Sequence, residues 1–265
     1  MTMNAPAMPE AILDMGPLVE ATQSLVRTWE SSPRHVRRVT HSDLSPRALA
    51  STLGLRPKKS RQPEIVLATN LAVELGPPDL ASRALILTTE RQELVCRGLV
   101  TVVGPDLQDV PAPSRLPFAQ VIMLALAPGA RPDPFALENA QYLMHRLPGY
   151  MARSIPGRLW IRVSSDAHRA GLTLWNVGAA LIGSYLEDFP EVVAAEVLYV
   201  TSDSDHVSAL GPVALEAEVV AGKHRKLAIS KDGELECADL SCETCEERPV
   251  CDGLRDMWKH RGRSR

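Results

Sequence analysis

The sequence predicts an α+β protein, built as mixed α/β layers in which helices cover a sheet. From Glu64 onward short β-branched runs recur, IVLATNLAVEL, ALILTT, LVTVVG and AQVIMLALA, parted by the turns GPPD, GPDLQDVPAPSRLP and APGARPDP. Beyond them a strand pattern (RLWIRVS), a helix pattern (HRAGLTLWNVGAALIGSYLED) and a further strand pattern (VVAAEVLYVTSD) follow one another. Apolar residues make up 45% of the 265 positions and charged residues 23%, so the chain carries enough apolar surface to bury a core without staples.

Residues 1–62 read as a helical, basic N-terminal extension. In Gly16–Glu30, Leu18, Thr22, Leu25, Val26 and Trp29 fall at helical spacing, which makes an amphipathic helix whose stripe needs a partner. The connecting stretch after it holds Arg34, Arg37, Arg38, Arg56, Lys58, Lys59 and Arg61. Within it Ser45 can cap a helix with Pro46 in its first turn. Residues 63–206 form the α/β domain, with FALENAQYLMHRL as one of its helices. Residues 207–265 read as an antiparallel hairpin, ALEAEVV and KLAIS around AGKHR, followed by a cysteine-rich metal-binding tail and a short helix, GLRDMWKHR.

A net charge of −3 offers no global attraction for nucleic acid or an anionic membrane. The start, MTMNAPAMPEAILDMGP, lacks a basic segment and carries Glu10 and Asp14 where a leader would be apolar. No apolar run reaches the length of a membrane span, so the expectation is a cytoplasmic protein without membrane contact. DLSPRALASTLGL resembles the first helix of a helix-turn-helix unit, but the Pro-broken PKKSRQPEIV follows it. A solvated connector or partner-docking arm is therefore favoured over nucleic-acid binding. Dinucleotide, P-loop and nucleophile-elbow motifs do not occur. His145 and His168 lie near helix ends and read as structural, and Asp203, Asp205 and His206 read as a turn rather than a metal site.

Four of the five cysteines, Cys237, Cys242, Cys245 and Cys251, fall within fifteen positions with spacing C-x4-C-x2-C-x5-C. Crowded thiols in a reducing compartment favour metal over disulfides. A C-x2-C pair presents two thiolates from one tight turn, and two more complete a tetrahedral zinc site or the ligand set of an iron–sulfur cluster. The compact run favours a [4Fe-4S] cluster, with zinc as the alternative. Cys96, a lone cysteine in QELVCRG, is expected to be a buried small hydrophobe. Arg153, Arg158 and Arg162 with Trp160 suit a local anion site, since guanidinium groups pair bidentately with phosphate, but a core tryptophan with solvated arginines is slightly favoured.

Several pieces of the middle region, in order, resemble a known family: LAVELGP at Leu71–Pro77, the Val103–Leu107 segment VGPDL, RLPF at Arg115–Phe118, WIRVS at Trp160–Ser164 and the ending VLYVTSD at Val197–Asp203. They resemble the middle domain of acetyl-CoA synthase, the β subunit of the carbon monoxide dehydrogenase/acetyl-CoA synthase complex. The resemblance covers about Leu67 to Asp205. It implies an α+β module tied to coenzyme A binding and to docking of a corrinoid protein, with the nickel chemistry in a following domain that this chain does not match. On that basis the expectation is an iron–sulfur accessory or partner-docking protein of corrinoid-linked one-carbon metabolism, its partner a corrinoid or redox protein. Two alternatives stand beside it. One is an acyl- or methyl-transfer subunit holding coenzyme A or a corrinoid around Tyr150, Arg158, Trp160 and Arg162. The other is a zinc-stapled interaction module whose basic arm contacts nucleic acid.

Overall fold

A computed structural model of the chain describes residues 14–30, 36–41, 65–141, 148–155, 157–221, 227–229 and 235–237. The chain divides into two compact units, Met1–Ala217 and Glu218–Arg265.

The first unit is α+β, as the sequence predicts, and is built on two sheets. The larger sheet comprises β1 (Val36–Thr40), β3 (Ser82–Thr89), β4 (Leu99–Val103), β6 (Phe118–Leu126) and β9 (Val192–Val200), in the order β1-β4-β9-β6-β3. Its central strands β6 and β9 are near-continuous apolar runs, buried along almost their whole length because both faces of the sheet are covered. The smaller sheet comprises β2 (Leu71–Leu75), β5 (Ser114–Leu116), β7 (Tyr150–Ile155) and β8 (Arg158–Ser164), in the order β5-β2-β8-β7. Val73, Leu75, Ile161 and Val163 of this sheet join Val100, Val102, Ile122, Leu124, Val197 and Tyr199 of the larger one in a single core. Buried Ser82 links the sheets, its Oγ donating to Leu159 O (2.7 Å) and accepting the Leu159 N–H (3.0 Å).

The far face of the larger sheet is covered by α1 (Gly16–Trp29), which buries Leu18, Val19, Thr22 and Val26 along one stripe. The basic connector contributes more than a link. Its VRRVT segment forms β1, paired antiparallel with β4 from Val36↔Val103 to Thr40↔Leu99. Arg37 bonds Gly104 O (3.3 Å) and ion-pairs with Asp109, so part of the expected basic arm is committed to the sheet.

The expected helix over 168–188 is two helices, α3 (Ser165–Arg169) and α4 (Leu174–Asp188). Gly171, at φ +82°, turns the chain between them, a conformation that ends a helix. FALENA forms α2 (Pro134–Ala140), and residues 142–147, including His145, lie outside the described residues. The start of α4 is set by the VGPDL segment. Gly104 has φ +109°, and a Cβ there would sit 2.4 Å from Ser202 N, so no side chain fits. Asp106 beyond it accepts the N–H groups of Leu107 (2.6 Å) and Leu174 (2.7 Å), the latter at the first residue of α4. Burial raises the Asp106 pKa. Among the described residues its Oδ2 and the Tyr199 hydroxyl, both buried, have no hydrogen-bond partner.

Helix α4 lies directly on β4 and β9 because Gly178 carries no side chain: a Cβ would meet both Val100 methyls at 2.8 Å. Gly178→Ala gains helix propensity but overpacks this contact. A net loss of about 1–2 kcal/mol is expected in urea melts, and a neutral or stabilised variant would show that α4 can lift away freely.

ALEAEVV is helical rather than the first strand of a hairpin. It lies in α6 (Gly211–Val220), after the short α5 (Ser204–Ala209). Pro212 near the start and Ala214, Leu215, Glu216, Ala217 and Glu218 are residues that favour helix, and this outweighs the β-branched ending. In the second unit, β10 (Leu227–Ile229) pairs antiparallel with β11 (Leu235–Cys237), so the LAI of KLAIS does form a strand, with a different partner. The Ser45 helix, the C-terminal GLRDMWKHR segment and Cys242, Cys245 and Cys251 lie outside the described residues.

Candidate functional site

Because side chains alternate along a strand, Arg158, Trp160 and Arg162 share one face of β8, and it is the face turned away from the core. Register brings two further residues to them: Glu74 of β2 stands opposite Arg162, and Arg115 of β5 stands opposite Glu74. Glu74 is the hub. Only 5% exposed, it accepts at Oε1 from Arg162 Nε (2.9 Å) and from Trp160 Nε1 (3.0 Å), and at Oε2 from Arg115 Nε (3.0 Å). Burial pushes its carboxyl pKa up, but the hydrogen bonds from Arg162, Arg115 and Trp160 outweigh it and hold the group below its ordinary value. The Arg162 guanidinium also lies over the Trp160 ring, 4.6 Å from its centroid.

The turn after β2 is held from two sides. Arg115 ion-pairs with Asp79, and Arg158 Nη2 donates to Leu80 O (2.8 Å) with longer contacts to the Pro77 and Pro78 carbonyls. Arg153 of β7 stands opposite Trp160 and is exposed. The face thus carries four guanidinium groups, an indole and two carboxylates. Its chemistry suits recognition of anionic groups, with the indole as a flat apolar contact.

Tyr150 does not share this face. It stands opposite Val163 and is buried in the core, where desolvation drives its phenol pKa up. Trp160, Arg158 and Arg162 come together as their alternation in sequence implies, whereas Glu74 and Arg115 enter through pairing of segments about 40 and 90 residues apart. The signal that would find Glu74 is a carboxylate inside an otherwise apolar strand, LAVEL, because a buried charge must be paired.

The remaining candidates resolve into structure. His168 Nε2 bonds Leu107 O at 2.9 Å. Asp203 caps α5 by accepting the His206 N–H (2.7 Å), and the His206 ring rests against Trp29. Cys96 is exposed, not buried: the bend after Gln92–Leu94 buries Val95 and turns the thiol outward. Among the described residues no three His, Cys, Asp or Glu side chains gather as a metal site. Cys237 ends β11, and the other three tail thiols lie beyond the described residues. Among the described residues no helix is long and apolar enough to cross a membrane.

The model of the family described as CO dehydrogenase/acetyl-CoA synthase complex beta subunit matches residues 60–207, more than half of the chain. The chain belongs to that family. Among its curated relatives is the acetyl-CoA decarbonylase/synthase complex subunit beta of Methanothermobacter thermautotrophicus, 24% identical over 189 residues, which are 71% of this chain and 40% of that one. The corresponding subunit of Methanopyrus kandleri is 25% identical over 145 residues, 54% of this chain and 31% of that one. The carbon monoxide dehydrogenase/acetyl-CoA synthase subunit alpha of Moorella thermoacetica is 25% identical over 154 residues, 58% of this chain and 21% of that one. The chain therefore spans less than half the length of these relatives. The match takes in Glu74, Arg115, Trp160 and Arg162 and ends before the tail cysteines.

Proposed function

We propose that this chain is an iron–sulfur, partner-docking member of the acetyl-CoA synthase β-subunit family, serving corrinoid-linked one-carbon metabolism as a component of a multi-protein assembly. The observation that carries this reading is the division of the chain. The family match is confined to the two-sheet body, and four thiols crowd together beyond it. The relatives bear the names of complex subunits, which supports a protein partner. Cys237, Cys242, Cys245 and Cys251 would hold a [4Fe-4S] cluster that supplies one-electron transfer or clamps the tail. The donor set itself, four thiols in one short acidic stretch with Glu236, Asp239, Glu243, Glu246 and Glu247, fits a low-potential cluster.

Protein purified without oxygen is expected to be brown, with iron and acid-labile sulfide in equal amounts, and to lose both in the paired variant Cys242→Ser/Cys245→Ser. Stoichiometric zinc without sulfide would overturn the cluster and favour the zinc-stapled module. A second reading rests on the grouping of Arg158, Trp160 and Arg162 on one face, which suits coenzyme A or a corrinoid phosphate in an acyl- or methyl-transfer subunit, with Tyr150 beneath as core support. Coenzyme A would then raise the melting temperature, since a ligand that binds the folded state alone stabilises it.

A further inference from the structure

We infer that the outer face of the four-stranded sheet is a docking surface for an acidic segment of a partner protein, an inference that rests on the docking reading above and names where and by what chemistry it occurs. The local charge does not cancel. Arg115 and Arg162 share Glu74, and Arg115 also meets Asp79. Among the described residues Arg158 is held by carbonyl oxygens alone, which orient its guanidinium without neutralising it. Arg153 is exposed, and among the described residues neither it nor Arg158 meets a carboxylate. Counted over the described residues, two positive charges therefore remain on a face where Arg115, Arg158 and Arg162 are held in place, within a chain whose net charge is −3. Fixed guanidinium groups lose little entropy when a carboxylate arrives, so this face is organised for acidic groups in advance.

The surroundings suit a polypeptide better than a small anion. Trp160 is half-buried beside Arg153, with Arg162 stacked on it, and tryptophan and arginine are the residues that dominate protein interfaces. Arg162 Nη1 reaches Val66 O (3.4 Å), and on either side of Val66 stand Ile65 and Leu67, 69% and 63% exposed. A basic centre with an aliphatic margin matches an acidic segment that carries apolar residues among its carboxylates.

The probe is a ten-residue polyglutamate peptide added to the full chain, followed by calorimetry and by the fluorescence of Trp160 against a Trp160→Phe control. Binding is expected to weaken strongly between 50 and 300 mM salt and to fall at least tenfold in Arg153→Glu, while Arg97→Glu, at an exposed position away from this face, leaves it unchanged. Arg158→Glu is expected to act in the same direction. Because Arg158 also holds the turn after β2, its result counts only where circular dichroism shows the fold retained, and Arg153→Glu carries the test by itself. Absence of peptide binding, or equal losses in Arg153→Glu and Arg97→Glu, would overturn the docking surface. So would inorganic pyrophosphate binding where the peptide does not, which would make the face a phosphate site. None of these results touches the metal content of the tail, so failure of this surface and failure of the iron–sulfur reading are told apart.

Discussion

Glu74→Ala is expected to lower the stability of the first unit by about 3 kcal/mol, toward the lower end of what removing one partner from a buried ion pair costs. The lower end applies because Arg115 is half exposed and water can take over its charge, whereas Arg162 and the Trp160 indole N–H are more enclosed. Glu74→Gln should cost roughly half as much, since its oxygen can still accept from Trp160 while its amide nitrogen faces a donor on Arg115. The effect depends on pH in a definite direction. The folded pKa of Glu74 lies below its unfolded value, so its contribution is fully present above the unfolded pKa of about 4.5 and is lost as pH falls through the folded value. Urea melts at pH 7 should separate wild type from Glu74→Ala by the full amount, and the gap should narrow as pH falls through the folded value. A gap unchanged at low pH would mean that packing, not charge, is what Glu74 supplies. Loss of the hub should also release Arg162 from its place over Trp160, so the fluorescence of Trp160 is expected to change in the same variant.

The sequence carries the strands of this fold plainly wherever burial alone decides them. AQVIMLALA and VVAAEVLYV are apolar apart from Gln120 and Glu196, because they lie in the middle of a sheet covered on both faces. VRRVT is harder to read, since its charges suit a connector, and it becomes a strand only through the backbone groups that β4 offers. ALEAEVV poses the opposite difficulty: its β-branched end suggests a strand, and the helix is decided by Ala, Leu and Glu together with the Gly-Pro start. Half of the outer-face site is legible from the period of two in RLWIRVS. Glu74 and Arg115 are not, because their meeting depends on which strands become neighbours, and no local pattern states that. Tyr150, adjacent in sequence to the same region, shows how a shift of one residue in strand phase moves a side chain from the surface to the core.

Glu196 should make the first unit less stable as pH rises through neutrality. It sits on β9, in the middle of the larger sheet, and faces α1 across a crevice of about 20 Å3 lined by Thr22, Gln23, Val26, Arg38, Thr101, Met123 and Leu198. That is room for about one water. Burial pushes its pKa up to about 7, and the Cys96 N–H (3.2 Å) and the positive charge of Arg38 offset this only in part. Arg38 is itself ion-paired with Glu30, which limits what it can lend. Since the folded pKa is above the unfolded value of about 4.5, the folded state holds the extra proton between these two values, and stability falls as pH rises across that window. The full shift corresponds to about 3 kcal/mol lost by pH 8. Glu196→Gln keeps the shape and an acceptor for Cys96 without the ionisation. The variant is therefore expected to match wild type near pH 4, below this window, and to exceed it by about 3 kcal/mol at pH 8, as read from urea melts at the two values. Amide exchange in α1 should slow in the variant at pH 8, because an ionised Glu196 draws water beneath the helix and a glutamine does not. Equal stability of the two proteins at pH 8 would mean that the carboxylate finds enough partners beneath α1 to stay ionised at no cost, and the burial of β9 along this face would then have to be looser than its apolar neighbours Met123 and Leu198 require.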